Sequence, residues 1–237
     1  TIGIFIRTKI RGYSNMELIN YWWSKILNNT KKVQVSNSRK VIFYFAPTIP
    51  DYDESSGGRR ATLLLEMMAK KFNVYVFYGK IPPKKYLEKL KSIGVNPVGF
   101  LRNIEAKASN YKVDILFFAW YNSFHQFKKA LKWFPSAKVI IDSVDVHWIR
   151  EERLLISNSN YTKTHVEANK RKEIEAYKAG DIILAVTEQD KRHILKELPL
   201  KQVEIVSNIH RQEVNEYNDS GSNKILFFGG FKHTPNI

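Results

Sequence analysis

Three sets of residues in this chain have the types and spacing to do chemistry. The first is SSGGRR at residues 55–60, between the apolar run VIFYFAP and the helical pattern ATLLLEMMAKK. Gly57 and Gly58 permit positive φ and a close approach of backbone to a ligand. A helix starting there offers unpaired N–H groups to an anion. Arg59 and Arg60 add charge and can supply bidentate donors. The stretch reads as a phosphate- or sugar-facing loop, with a glycine turn and solvated arginines as the plainer alternative. It is neither G-x-G-x-x-G nor G-x-x-x-x-G-K-[ST], so it names no dinucleotide or P-loop chemistry.

The second set is DSVDVHWIREER, where Asp142, Asp145 and His147 fall within six residues and Arg150 follows. Two carboxylates and an imidazole can hold a metal, contact substrate hydroxyls, or act as a general base. They can equally cap nearby turns, and spacing alone leaves all of these open. The third set consists of residues at other apolar-run ends: Tyr121, Thr187 with Glu188, and Asn208. No Ser-His-Asp arrangement stands out. The chain has no cysteine, which removes disulfides, a cysteine nucleophile and thiolate zinc sites.

The elements that must position these residues alternate in type. Strands are expected at 41–47, 73–79, 113–120 and 137–144, with a weaker one at NPVGFL and further ones at DIILAV and VEIVSNI. Helices are expected from Arg59 to Lys71, over PPKKYLEKLKSIG and SFHQFKKALKWF, over a long stretch ending near Gly180, and over TEQDKRHILKEL. In the last, Thr187 and Asp190 have capping-box spacing. Near-continuous apolar strands alternating with helices predict an α/β domain with a Rossmann-like parallel sheet covered on both faces. In such a sheet ligands lie beyond the carboxyl ends of the strands, where all three sets fall.

Residues 1–39 stand outside this rhythm and are expected to form an appendage with one helix, NMELINYWWSKILNN. Residues 40–209 make the main domain, 210–223 a polar linker, and 224–237 the first strand of a further domain. Hydrophobic residues make up 43% of the chain, enough for a globular core. No apolar run approaches the roughly 18 residues of a membrane span. The formal charge of +15 favours anionic partners. Nucleic acid is not the expected one, because the aromatic residues occupy core positions instead of an exposed stacking platform.

Together, PTIPDYDESSGGRRATLLLEMM, IIDSVDVHWIREER, EIEAYKAGDIILAVTEQDKRHI, VEIVSNIH and ILFFGGFKHTPN resemble blocks of bacterial family-4-type (group 1) retaining glycosyltransferases. The resemblance covers about residues 40–237 and is nearest to a subgroup found in polysaccharide-synthesis and multidomain proteins. It implies a GT-B enzyme with two Rossmann-like domains, this chain carrying the N-terminal, acceptor-side one. It implies a nucleotide-sugar as donor substrate, a glycan or lipid-linked acceptor, no cofactor and no metal.

On that pattern Gly57, Gly58 and Arg60 approach the donor phosphates, and Asp145 and His147 are the catalytic pair on the sugar and acceptor side. Asp142, Tyr121, Thr187, Glu188, Asn208, Gly229 and Gly230 line the cleft. Many members place His directly before Asp on the fifth-strand loop, whereas this chain has Asp145-Val146-His147. The family's basic donor-phosphate residue and paired glutamates belong to the second domain, so these 237 residues by themselves are expected to be inactive. The implied location is the cytoplasm, with peripheral contact to an anionic membrane. The competing expectation is a non-catalytic module of the same fold that binds an anionic or protein partner. An oxidoreductase-type nucleotide domain is disfavoured by the missing G-x-G-x-x-G.

Overall fold

The computed structural model describes residues 39–99, 111–155 and 161–209. The expected helix within 1–39, the linker 210–223, and the strand carrying Gly229 and Gly230 lie outside them. The described residues form one parallel sheet of seven strands: β1 (Val41–Ala46), β2 (Asn73–Tyr78), β3 (Asn96–Gly99), β4 (Ile115–Ala119), β5 (Lys138–Asp142), β6 (Ile182–Ala185) and β7 (Gln202–Ile205). Their order is β3-β2-β1-β4-β5-β6-β7, so the chain winds outward one way from β1 and the other way from β4. Right-handed crossovers in opposite directions put helices on opposite faces. This is a Rossmann-like α/β fold, consistent with the GT-B superfamily in general.

The helices are α1 (Ser56–Ala69), α2 (Lys84–Ser92), α3 (Trp120–Phe127), α4 (Ala130–Trp133), α5 (His147–Leu154), α6 (Lys163–Ala179) and α7 (Glu188–Glu197). Register sorts the core. Phe43, Phe45, Phe77 and Phe118 pack with Phe124, Phe127, Phe134 and Tyr177. On the opposite face Tyr44 stacks on Phe117, and α1 supplies buried Leu64, Leu65 and Met68. Burial on both faces is why the strands read as apolar runs without alternation.

Three boundaries differ from the sequence expectation. α1 begins at Ser56, so both glycines lie inside its first turn rather than in a preceding loop. The reason is Ser55, whose Oγ accepts from Gly58 N at 2.9 Å as a helix N-cap. The helix expected from Ser123 starts at Trp120 and is interrupted before Ala130. There, i→i+3 bonds from Leu131 to Lys128 and Lys132 to Lys129 tighten the turn. The loop expected over 142–150 is short, because α5 already starts at His147. Thr187 and Asp190 form the expected capping box, with both reciprocal bonds in place.

Candidate functional site

The strand order reverses between β1 and β4, whose following segments run off to opposite faces and leave a crevice at their carboxyl ends. The turn at 51–54 and the start of α1 follow β1 at that edge. Asp51 organises the turn: its backbone O accepts from Glu54 N and Ser55 N at 3.1 and 3.3 Å, and its side chain accepts from Ser55 Oγ. A Cβ on Gly58 would stand 2.6 Å from that carbonyl oxygen, whereas one on Gly57 would meet nothing within 4 Å. The two glycines therefore do different jobs. Gly58 admits the turn, and Gly57 leaves open space over the helix start, where the first amides have no intrahelical acceptor.

Gly58→Ala should destabilise the chain by about 1–3 kcal/mol through overpacking. Gly57→Ala should change stability by no more than about 1 kcal/mol, since alanine is the better helix former, while weakening anion binding. Urea unfolding and a titration with inorganic pyrophosphate read the two effects separately.

Arg59 is exposed, but Arg60 is only 1% exposed. It is neither a solvated arginine nor a surface anion ligand, because its guanidinium is committed inside the fold. Nη1 and Nη2 make a bidentate pair with Asp142 at 2.6 and 3.1 Å, and Nη2 also donates to Val206 O at 2.9 Å. One side chain thereby ties α1 to the ends of β5 and β7. Burial alone would lower the Arg60 pKa, but the charge and hydrogen bonds of Asp142 prevail and raise it. Tyr44 lies alongside, its phenol pushed up by burial and by the Asp142 charge, with a buried hydroxyl that has no partner.

Asp142 also accepts from Val144 N at 3.3 Å, which connects the ion pair to an unusual turn. Val144 has φ 60°, and Asp145 N donates to Ser143 O across it at 2.6 Å. This i→i+2 bond about a positive φ is a γ-turn of the rare strained kind, centred on a β-branched residue. Such a conformation costs about 1–3 kcal/mol and is found where the surrounding structure enforces it. It reverses the chain within three residues, so Asp145 and His147 stand directly at the end of β5. Val144→Gly should relieve about 1–2 kcal/mol of that strain, offset by about 0.5–1 from glycine's chain entropy. A small net rise in thermal stability is the expected outcome.

Asp145 pairs with Arg150 through Oδ2 and Nη1 at 2.5 Å. Its other oxygen, Oδ1, is buried without a hydrogen-bond partner and lies 3.5 Å from His147 Nδ1. His147 Nδ1 is 3.1 Å from Asp145 O. The Tyr121 and Trp120 rings stand edge-on to the imidazole, with centroids 5.2 and 6.0 Å away. Burial, then the Glu173 and Glu151 carboxylates, push the Tyr121 phenol up to about 12, so it stays neutral. Trp120 is also at positive φ (69°), and its indole N–H is buried without a partner. Behind this group, Glu173 of α6 accepts from His147 N, Trp148 N and the Tyr177 hydroxyl.

The structure thus brings together Arg60 with Asp142, and Tyr121 with Asp145 and His147. Thr187 caps α7, Glu188 is exposed in its first turn, and Asn208 is exposed beyond β7, all at the same sheet edge. Asp142, Asp145 and His147 do not form a metal set, since each carboxylate is committed to its own arginine. Among the described residues no group of three or more His, Asp or Glu is placed to hold a metal ion. A groove of about 420 Å³ lined by Lys170, Arg171, Ile174, Glu175, Lys178 and Glu197 contains no strand-end residue.

Trp120, Val144 and Glu173 were not singled out from sequence. Positive φ at tryptophan or valine has no sequence signal. Glu173 had one: it shares a helical stripe with Val166, Ala176 and Tyr177, all buried, so a carboxylate there needs partners. No family model matches the chain, and no curated protein matches it.

Proposed function

We propose that this chain is the acceptor-side part of a retaining glycosyltransferase of the family-4 (group 1) type, moving a sugar from a nucleotide-sugar to a glycan or lipid-linked acceptor. The observation that supports this best is where unsatisfied polar atoms collect. Among the described residues, five of the six buried side-chain atoms without a partner belong to Tyr44, Arg60, Trp120, Ser143 and Asp145, on or beside β1, β4 and β5. Buried polar groups without partners are costly, and a sugar offers many hydroxyls that donate and accept. The Trp120 indole N–H and Asp145 Oδ1 form a donor and acceptor pair beside His147.

In the proposed reaction the bond from the anomeric carbon to the diphosphate breaks, one to the acceptor oxygen forms, and the acceptor hydroxyl gives up its proton to the departing diphosphate. The amides of Ser56 and Gly57 at the start of α1 face the departing charge, as preorganised dipoles that need no rearrangement. Asp145 and His147 hold the sugar and the acceptor hydroxyl. Arg60 acts through Asp142 and the γ-turn, not by touching phosphate. The proposal assigns the remaining donor contacts to a second Rossmann-like domain, so transfer is to be measured on the chain together with that domain. Sugar transfer from a panel of nucleotide-sugars is the test. Anion binding without transfer would instead favour the non-catalytic module.

No helix among the described residues is long and apolar enough to cross a membrane. The +15 charge supports peripheral contact with anionic lipid, as a lipid-linked acceptor would require. The chain should co-sediment with anionic liposomes at low salt and be released by about 0.5 M salt, through screening. No association at low salt would remove this part of the proposal.

A further inference from the structure

Glu173 lies in the middle of α6 and is 0% exposed. A buried carboxylate needs its oxygens paired, and here three donors do so. His147 N donates to Oε1 and Trp148 N to Oε2, both at 3.2 Å, and the Tyr177 hydroxyl donates to Oε1 at 2.5 Å. The two amides are the first of α5, which have no intrahelical partner, and the helix dipole favours a negative charge there. Burial, then the Glu173 charge, hold the Tyr177 phenol well above its ordinary value, so it remains a donor.

Glu173 Oε1 also stands 3.5 Å from His147 Nδ1. The nearer neighbour of that nitrogen is Asp145 O at 3.1 Å, a backbone carbonyl that can only accept. Nδ1 therefore carries the hydrogen, and its other oxygen neighbour, Asp145 Oδ1, is an acceptor too. In the neutral ring the free lone pair is on Nε2. Arg150 pairs with Asp145 and leaves the Glu173 carboxylate to α5 and Tyr177.

Resting on the sugar-transfer reading of this site, we propose that Glu173 is its positioning residue: it pins the start of α5 and holds His147 with Nδ1–H inward, so that Nε2 is the nitrogen offered to a substrate hydroxyl. Glu173 touches no substrate in this arrangement. It acts through the backbone of α5 and the ring of His147.

The test is ¹⁵N spectroscopy of the histidine-labelled chain, with His147 assigned by loss of its signals in His147→Gln. A protonated Nδ1 and an unprotonated Nε2 are expected in the neutral ring. In Glu173→Gln the tautomer ratio should move about tenfold toward Nε2–H, because a neutral acceptor replaces a charged one. Tyr177→Phe, which removes a competing donor from Oε1, should move it the other way. An Nε2–H tautomer in the unmodified chain overturns the proposal, as does a ratio unmoved by Glu173→Gln. If Glu173→Gln does not fold, Tyr177→Phe decides, and an unmoved ratio there overturns it. Failure of the chain, together with the second Rossmann-like domain, to transfer sugar from any nucleotide-sugar would remove the sugar-transfer reading yet leave the tautomer result standing, which separates the two.

Discussion

Asp142→Ala should lower the unfolding free energy by about 3–5 kcal/mol, because it strands the Arg60 guanidinium in the interior. The pair is bidentate, with both side chains at most 2% exposed. Arg60→Met should cost a similar amount by stranding the carboxylate instead. The double variant Arg60→Met/Asp142→Leu should be far milder than the sum, since an apolar pair of similar volume often replaces a buried ion pair at little cost. It would still leave Val206 O and Val144 N short of a partner, so a residual loss of about 1–3 kcal/mol is expected. Urea unfolding of the four species closes the cycle. Single variants that each cost under about 1 kcal/mol would place the pair in a wetter setting than its burial indicates.

The second large effect is on transfer. His147→Ala and Asp145→Asn should each reduce sugar transfer by about 10²–10⁴-fold, the range for a group that handles a proton or its charge in the transition state. Nucleotide-sugar binding should change far less, because most donor contacts are proposed to lie at the start of α1 and on the second domain. The two substitutions should not multiply. Asp145 O and Oδ1 both face His147 Nδ1, and residues acting as one unit are not additive. Unchanged transfer by both variants would remove the 142–147 turn from the chemistry.

The fold was legible because burial on both sheet faces leaves a plain mark: VIFYFA and ILFFA cannot alternate when both faces are covered. Helix ends were legible where a side chain makes the cap, as at Thr187. They were misplaced where backbone geometry decides, as at Trp120, whose positive φ lets a strand enter a helix without a linker. The loops proposed to bear the site stand out in the sequence because topology puts ligands at strand ends. The roles within them were not found. Nothing in SSGGRR tells that the second arginine turns inward to a carboxylate 82 residues away, or that only the second glycine is pressed against a carbonyl. Glu173 escaped for a related reason: a charged residue in a helix reads as surface until its stripe is counted.

The most direct measurement is a titration of the ¹⁵N-labelled chain, together with the proposed second domain, with UDP-, GDP- and ADP-sugars, following the Ser56 and Gly57 amides, the Trp120 indole N–H and the His147 ring together. The sugar-transfer proposal predicts that at least one nucleotide-sugar moves all four, while inorganic pyrophosphate moves only the first two. If no nucleotide-sugar moves Trp120 or His147, and pyrophosphate shifts Ser56 and Gly57 just as far, the site binds anions and the transferase reading is wrong.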